Sequence, residues 1–177
     1  MRAGMTHAGL GTIRQVRLAD VAARTIVREV GAASDGRETG GILLGDISTD
    51  GVADVRHAGD PGPAAVRTPA SFLRDRAHAQ QLADTAFEAD GSIWIGEWHT
   101  HPTTEPVPSK TDIETYCSLL ADPELQFTVI LSIIIGPLPS PHVPDIVMIA
   151  WACTSSTITA IPVGPTDHVD GQGLLPT

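Results

Sequence analysis

Two histidines stand one residue apart in the segment GEWHTHPTTEPVPSKTD, residues 96–112. On a β-strand, residues i and i+2 face the same side with Cα atoms roughly 6.5–7 Å apart, so the imidazoles of His99 and His101 can converge on one ion. Asp112, further along the segment, offers a carboxylate. Two neutral imidazoles and one carboxylate suit Zn²⁺ and leave a fourth position for water, as in a catalytic zinc site.

The same segment has a second interpretation that needs no metal. Ser109 and Asp112 precede a helical pattern, and their spacing is that of a capping box, in which each side chain accepts from the other residue's backbone N–H. A pair of histidines taken alone is weak support for a metal. The two interpretations are compatible, because a carboxylate at the third helical position keeps a second oxygen for an ion.

Water activated by a zinc ion needs a base that takes its proton and passes it to the leaving amine. Three glutamates are candidates for this base. Glu97 shares a strand face with His99, and Glu105 lies in the loop that follows. Glu38, in RETGGILLGD, precedes a strand whose glycines permit close approach of another backbone. Spacing alone does not select among the three.

Hydrophobic patterning predicts the elements that would position these residues. Residues 59–69, rich in proline and glycine, are predicted to be a loop. The pattern favours an α+β fold, with a mixed, largely antiparallel sheet flanked by two or three helices. The helices are predicted over residues 18–30, 71–89 and 109–121, and the strands over residues 41–47, 52–58, 92–98, 126–135, 145–153 and 156–163.

The length of 177 residues predicts one domain, and 42% hydrophobic residues suffice for its core. We place the domain at residues 12–163, between a flexible N-terminus of residues 1–11 and a C-terminal tail of residues 164–177.

Charge and cysteine content limit the classes of partner and the compartment. A net charge of −10 argues against a nucleic-acid partner, because the surface repels phosphates. No apolar run reaches the roughly 20 residues of a membrane helix, and the N-terminus lacks a signal peptide's apolar stretch. Cys117 and Cys153 form no C-x-x-C motif. We therefore predict a cytoplasmic protein with reduced thiols and no membrane association.

Together these residues resemble the JAMM motif of the JAB/MPN family of zinc metalloproteases. HTHPTTEPVPSKTD matches H-x-H-x(7)-S-x-x-D, and ETGGILLG is similar to the segment that carries the family's upstream glutamate. The order of the predicted elements also fits the family's fold, which has a layering like that of cytidine deaminases. The resemblance implies that His99, His101 and Asp112 bind zinc. It further implies that Glu38 is the general acid and base, and that Ser109 hydrogen-bonds the tetrahedral intermediate.

The resemblance also implies a function. The chain is similar to compact prokaryotic JAB-type, deubiquitinase-like peptidases, which cleave after the C-terminal tail of a ubiquitin-like modifier. Such an enzyme removes the modifier from targets or matures its precursor, in some cases beside E1- and E2-like enzymes of an anti-phage operon. We expect the tail to lie along residues 57–70 and 103–108. The alternatives are a sulfur-carrier processing peptidase and a non-catalytic MPN-type binding module. The presence of all five motif positions disfavours the binding module.

Overall fold

A computed structural model of the chain describes residues 12–138 and 146–165. The predicted N-terminal segment, residues 1–11, and residues 166–177 of the predicted tail lie outside the described residues. The elements follow in chain order: β1 (Gln15–Leu18), α1 (Asp20–Ala32), β2 (Gly40–Ile47), β3 (Val52–Ala58), β4 (Val66–Thr68), β5 (Ser71–Leu73), α2 (Arg76–Asp90), β6 (Ile93–Thr100), α3 (Lys110–Ala121), β7 (Ile130–Pro137), β8 (Ile146–Cys153), β9 (Ile158–Ile161) and β10 (Val163–Pro165).

Eight of the strands form one mixed sheet in the order β10-β1-β3-β2-β6-β7-β8-β9, and β4 and β5 form a separate hairpin. Within the large sheet, β2 pairs antiparallel with β3 and β6, and β8 pairs antiparallel with β7 and β9. The pairs β1–β10, β1–β3 and β6–β7 are parallel. The predicted α+β class is confirmed: the described residues form a mixed, mostly antiparallel sheet with three helices, where two or three were predicted.

Helices cover both faces of the large sheet. On one face, Ala22 and Ile26 of α1 pack into the main core, which includes the fully buried Trp98 of β6. On the other face, α2 packs over Ile42 and Leu44 of β2, and α3 contributes a buried Tyr116 to a separate cluster. Side chains alternate along a strand, so His99 points away from the α1 core and toward the face covered by α2 and α3.

Three regions differ from the sequence-based prediction. The helix predicted over 71–89 begins at Arg76, because Ser71–Leu73 pair with Val66–Thr68 and the Asp75 side chain caps the backbone N–H groups of the first helical turn. The loop predicted over 59–69 therefore contains β4. The edge strands β1 and β10 were not predicted as separate elements, since runs of four and three residues carry little periodicity. Among the described residues, no helix has the length and apolar character to cross a membrane.

One glycine in β6 controls how closely β6 and β7 approach. A Cβ added at Gly96 would overlap the backbone carbonyl oxygen of Leu131, whereas one added at Gly31 in α1 would meet no atom within 4 Å. We expect Gly96→Ala to lower the free energy of unfolding by about 3 kcal/mol, because backbone atoms cannot move aside cheaply.

The matched control is Gly31→Ala, which should raise the free energy of unfolding by about 0.5 kcal/mol through better helix propensity. Urea denaturation of both variants measures the difference. Equal stability of the two variants would contradict the close packing of β6 on β7.

Candidate metal centre

Three potential ligands converge where β6 ends and α3 begins. His99 lies near the end of β6, His101 follows its last residue, and Asp112 is in the first turn of α3. Their ligand atoms all lie within 4.8 Å of one another. The two Nε2 atoms are 3.1 Å apart, and the Asp112 carboxylate oxygens Oδ1 and Oδ2 lie 3.4 Å from His99 Nε2 and His101 Nε2 respectively.

These separations fit a small divalent cation. Tetrahedral ligands with bonds of about 2.0–2.1 Å are separated from one another by about 3.3–3.4 Å. The Nε2–Nε2 distance and the two Nε2–carboxylate distances, each to a different oxygen of Asp112, lie close to that value. The set of two imidazoles and one carboxylate also matches zinc chemistry, so the residues fit the group that the motif implies.

Hydrogen bonds fix the direction of His101. Its backbone N–H donates to the Ile135 carbonyl at 2.7 Å, and its Nδ1 lies 2.9 Å from the Glu105 carbonyl oxygen. A carbonyl only accepts, so Nδ1 carries a hydrogen, and Nε2 is the ring nitrogen directed to the centre. The loop that supplies this carbonyl is itself held, because Trp151 Nε1 donates to the Pro106 carbonyl at 3.1 Å.

Asp112 belongs to a helix cap and to the candidate centre at the same time. Its Oδ2 accepts from the Ser109 backbone N–H at 2.7 Å, and its own N–H donates to Ser109 Oγ at 3.2 Å. This reciprocal pair is the capping box expected from the sequence. Asp112 Oδ1, which faces His99, takes no part in the cap. The capping and metal interpretations therefore coexist on one side chain.

The charges within the centre favour an anionic Asp112. Burial raises the pKa of its carboxyl, but hydrogen bonds with His101 and His99 outweigh burial and hold the pKa well below its usual range. Burial lowers the pKa of the His101 imidazole, and its bonds with Asp112 and with the Glu105 carbonyl reverse that effect, so the net shift is upward. The centre therefore offers an ionised carboxylate to a cation.

Glu38 is beside this group, two residues before β2 begins. It is 8% exposed, and burial raises the pKa of its carboxyl above the usual value. The nearby imidazoles of His99 and His101 oppose that shift, and the charge of Asp112 adds to it. A carboxyl with a raised pKa suits a group that must both take and return a proton near neutral pH.

The other two glutamates occupy different surroundings. Glu97 is buried on the same strand face as His99, but its Oε2 lies 2.8 Å from Arg74 Nη1 in an ion pair. Glu105 has an exposed side chain, and its contact with His101 is through its backbone carbonyl. The Glu38 carboxyl, by contrast, interacts electrostatically with His99, His101 and Asp112.

A glycine brings the Glu38 segment against the histidine strand. Gly40 pairs with His99 across β2 and β6, and a Cβ added at Gly40 would overlap the Trp98 carbonyl oxygen and lie 2.9 Å from the His99 Cβ. On the next residue pair, the Thr39 N–H donates to Thr100 Oγ1 at 2.9 Å, and the Thr100 N–H donates to the Thr39 carbonyl at 2.8 Å. The absence of a side chain at Gly40, the first glycine of ETGG, therefore lets β2 lie this close to β6.

Sequence reasoning missed the residues that hold these groups in place. Arg67 donates to the Glu38 carbonyl, Arg74 pairs with Glu97, and Thr100 is hydrogen-bonded to Thr39. Both arginines lie in segments predicted as loop or helix. No periodic or motif signal marked them, because each acts on a segment distant in the chain.

The site can now be compared with known proteins. Residues 20–153 match a sequence model of prokaryotic homologs of the JAB domain. The chain belongs to this family. The resemblance inferred from the two motif segments is thereby confirmed at the level of the prokaryotic JAB family.

Two relatives of this JAB protein carry names that describe a peptidase. A probable metalloprotease, y4qB, of Sinorhizobium fredii is 37% identical over 90 residues, which cover 49% of this chain and 55% of the relative. A CD-NTase/cGAS isopeptidase of Escherichia coli is 33% identical over 81 residues, which cover 45% of this chain and 51% of the relative. The matches thus span about half the length of each relative.

A solved structure shares the fold of this JAB protein. Protein DSY2949 from Desulfitobacterium hafniense superimposes with a TM-score of 0.63 over 88% of this chain and 95% of that protein. Its sequence identity is 20%, so the likeness concerns the fold alone.

Asp112 and Ser109 can be separated by their effects on metal binding. Both Asp112→Ala and Ser109→Ala remove half of the capping box and should each cost about 1 kcal/mol of stability. We expect Asp112→Ala alone to lose zinc affinity, by about 100-fold or more, because it removes a ligand as well as a cap.

Isothermal titration with zinc measures both variants against the unaltered chain. Ser109→Ala serves as the matched control and should bind with an affinity within about tenfold of that chain. Equal affinity in the two variants would show that Asp112 serves the helix cap and not a metal.

Proposed function

We propose that this prokaryotic JAB protein is a zinc-dependent isopeptidase that cleaves after the C-terminal tail of a ubiquitin-like modifier and so releases it from target proteins. The observation that carries the proposal is the convergence of His99, His101 and Asp112, with the buried Glu38 beside them. An ion site alone would be compatible with a structural role. A buried carboxyl next to it adds a group that can move protons.

The names of the relatives support a protein conjugate as the substrate. Three relatives are called CD-NTase/cGAS isopeptidases, a name that describes hydrolysis of an isopeptide bond on an enzyme of that class. For this chain we infer an equivalent substrate: a modifier joined through its C-terminus to a lysine of a target protein. E1- and E2-like enzymes are the partners that would make such a conjugate.

The residues present divide the reaction between them. A zinc ion held by His99, His101 and Asp112 would supply Lewis acidity and would lower the pKa of water beside it. The Glu38 carboxylate accepts the proton of the attacking water at one of its oxygens. The water oxygen bonds to the carbonyl carbon, and Glu38 delivers the proton to the leaving nitrogen as the carbon–nitrogen bond breaks, which yields a carboxylic acid and an amine. The Ser109 hydroxyl donates a hydrogen bond to the oxyanion of the tetrahedral intermediate.

The surface beside Glu38 suits an extended, apolar tail. Val66 of β4 and Leu73 of β5 are cross-strand partners, and both are largely exposed on the hairpin. Val107 is exposed on the loop that leads into α3. The hairpin bonds to Glu38 through Thr68 and Arg67, and the loop before α3 bonds to His101 through the Glu105 carbonyl. We therefore infer that the modifier's tail lies between the β4–β5 hairpin and residues 103–108.

Glu38→Gln tests the proposed proton transfer. The amide has the size of the carboxyl but cannot accept and return a proton, so we expect cleavage to fall by at least ~100-fold. Zinc content should stay unchanged. The measurement is cleavage of a panel of candidate modifier fusions, followed by mass spectrometry, with zinc quantified on the same samples.

Glu88→Gln is the matched control, because Glu88 is an exposed residue of α2 that belongs neither to the metal centre nor to the surface inferred for the tail. We expect it to cleave within about twofold of the unaltered chain. Full activity of Glu38→Gln would refute Glu38 as the base. A zinc-loaded chain that binds a modifier but cleaves no fusion would favour the non-catalytic binding module, and cleavage restricted to sulfur-carrier fusions would favour that processing role.

A further inference from the structure

The segment that carries Glu38 has little structure of its own. Residues 33–39, between α1 and β2, form turns and irregular chain, and Gly36 within them has a φ of +70°. The segment's local bond from the Arg37 N–H to Asp35 Oδ1, at 3.2 Å, does not involve Glu38. The position of Glu38 therefore depends on contacts with distant residues.

Those contacts come from β4. The Glu38 N–H donates to the Thr68 carbonyl at 2.8 Å, and Arg67 Nε donates to the Glu38 carbonyl at 2.8 Å. The backbone N–H and carbonyl of Glu38 are thus bonded to Thr68 and Arg67, two successive residues of β4. Downstream, Thr39 is bonded to Thr100 of β6. The chain at Glu38 is therefore held by β4 through the backbone of Glu38 itself and by β6 through the next residue, Thr39.

Arg67 uses more than one of its donors on this segment. Its Nη2 lies 3.1 Å from Asp35 Oδ1 and 3.4 Å from the Arg37 carbonyl, and its Nη1 lies 3.4 Å from Asp35 Oδ2. The side chain is 25% exposed, so these bonds are partly shielded from water. A rigid guanidinium fork that bridges a side chain and two successive carbonyls restrains the backbone more than a single point charge can.

We propose that Arg67 is a positioning residue for the proton transfer: it holds the backbone of residues 35–38 so that the Glu38 carboxyl stays beside His99, His101 and Asp112. The proposal rests on the proposed function for its catalytic consequence, but its structural part stands on contacts that can be measured without a substrate. The bonds of Arg67 go to Asp35 and to the Arg37 and Glu38 carbonyls, so it acts through the Glu38 backbone and not on the reacting atoms.

Arg37 provides a matched control. It is the neighbour of Glu38 and also approaches Asp35, at 3.9 Å, but its side chain is 58% exposed. Arg37→Ala therefore removes the same charge near the same carboxylate, while the bond from Arg67 to the Glu38 carbonyl remains. Arg67→Lys keeps the charge and loses the fork.

The first measurement is hydrogen exchange of the zinc-loaded chain, resolved by residue with NMR. In Arg67→Ala we expect the Glu38 amide to exchange at least about tenfold faster, because its bond to Thr68 opens more often. In Arg37→Ala, the Glu38 amide should exchange at a rate within about twofold of its rate in the unaltered chain. The amide of His101, which donates to Ile135, should be unchanged in both, and zinc should be retained in both.

The second measurement is the cleavage rate on a modifier fusion that the unaltered chain cleaves. A base displaced by about 1 Å can cost ~100-fold in rate, so Arg67→Ala should lower kcat by about 10- to 100-fold and change KM by less than about threefold. Compared with Arg67→Ala, we expect Arg67→Lys to regain the melting temperature of the unaltered chain. Its kcat should stay about tenfold below that of the unaltered chain, since an ammonium cannot bridge the Asp35 carboxylate and the two carbonyls. A residue with a purely structural role would recover both together.

The two measurements test the structural part and the catalytic part of the proposal separately. An unchanged Glu38 amide in Arg67→Ala overturns the proposal whatever the rate, and faster exchange with unchanged kcat overturns its catalytic part. If Arg67→Ala loses protection throughout the sheet, Arg67→Lys decides in its place by the same two measurements. If the unaltered chain cleaves no fusion, the proposed function fails, and the exchange data still decide whether Arg67 holds Glu38.

Discussion

The antiparallel pairing of β2 with β6 is the constraint on which the site depends. It places Gly40 opposite His99, and only a residue without a Cβ lets the two backbones approach this closely. The segment before β2 and the chain after β6 then leave the sheet at the same end. Glu38 and the two histidines, about sixty residues apart in the chain, meet there because of the register of one strand pair.

The start of α3 supplies the third element by a different means. A helix N-terminus leaves backbone N–H groups without intrahelical partners, and Ser109 and Asp112 satisfy two of them. The same cap fixes the rotamer of Asp112, so that Oδ1 faces His99 while Oδ2 serves the cap and faces His101. The helix thus begins with a carboxylate already oriented toward the imidazoles. Capping energy contributes to the preorganisation of the centre.

The sequence alone predicts those features of the site that depend on residues near one another in the chain. It does not predict those that depend on residues far apart in the chain. The i, i+2 spacing of His99 and His101 and the Ser109–Asp112 box depend on contacts within a few residues, and the structure contains both. The choice of Glu38 among three glutamates came from family resemblance, because strand pairing across the chain leaves no mark in local spacing. The β4–β5 hairpin was missed for the same reason: three-residue strands show no period, and their role lies in Arg67 and its distant partners.

The contrast between Glu38 and Glu97 gives the choice of base a physical reason of its own. Both are 8% exposed; Glu97 lies on the β6 face that carries His99, and Glu38 lies two residues before β2. The Glu97 carboxylate is held in an ion pair with Arg74 at 2.8 Å, so its oxygens are already engaged by a permanent cation. Around Glu38 the largest influence is burial, which disfavours the charge and raises the pKa. Arg67 bonds the Glu38 backbone and not its carboxylate. Under the proposed function, Arg67 therefore positions Glu38 without engaging the carboxyl that would take up a proton.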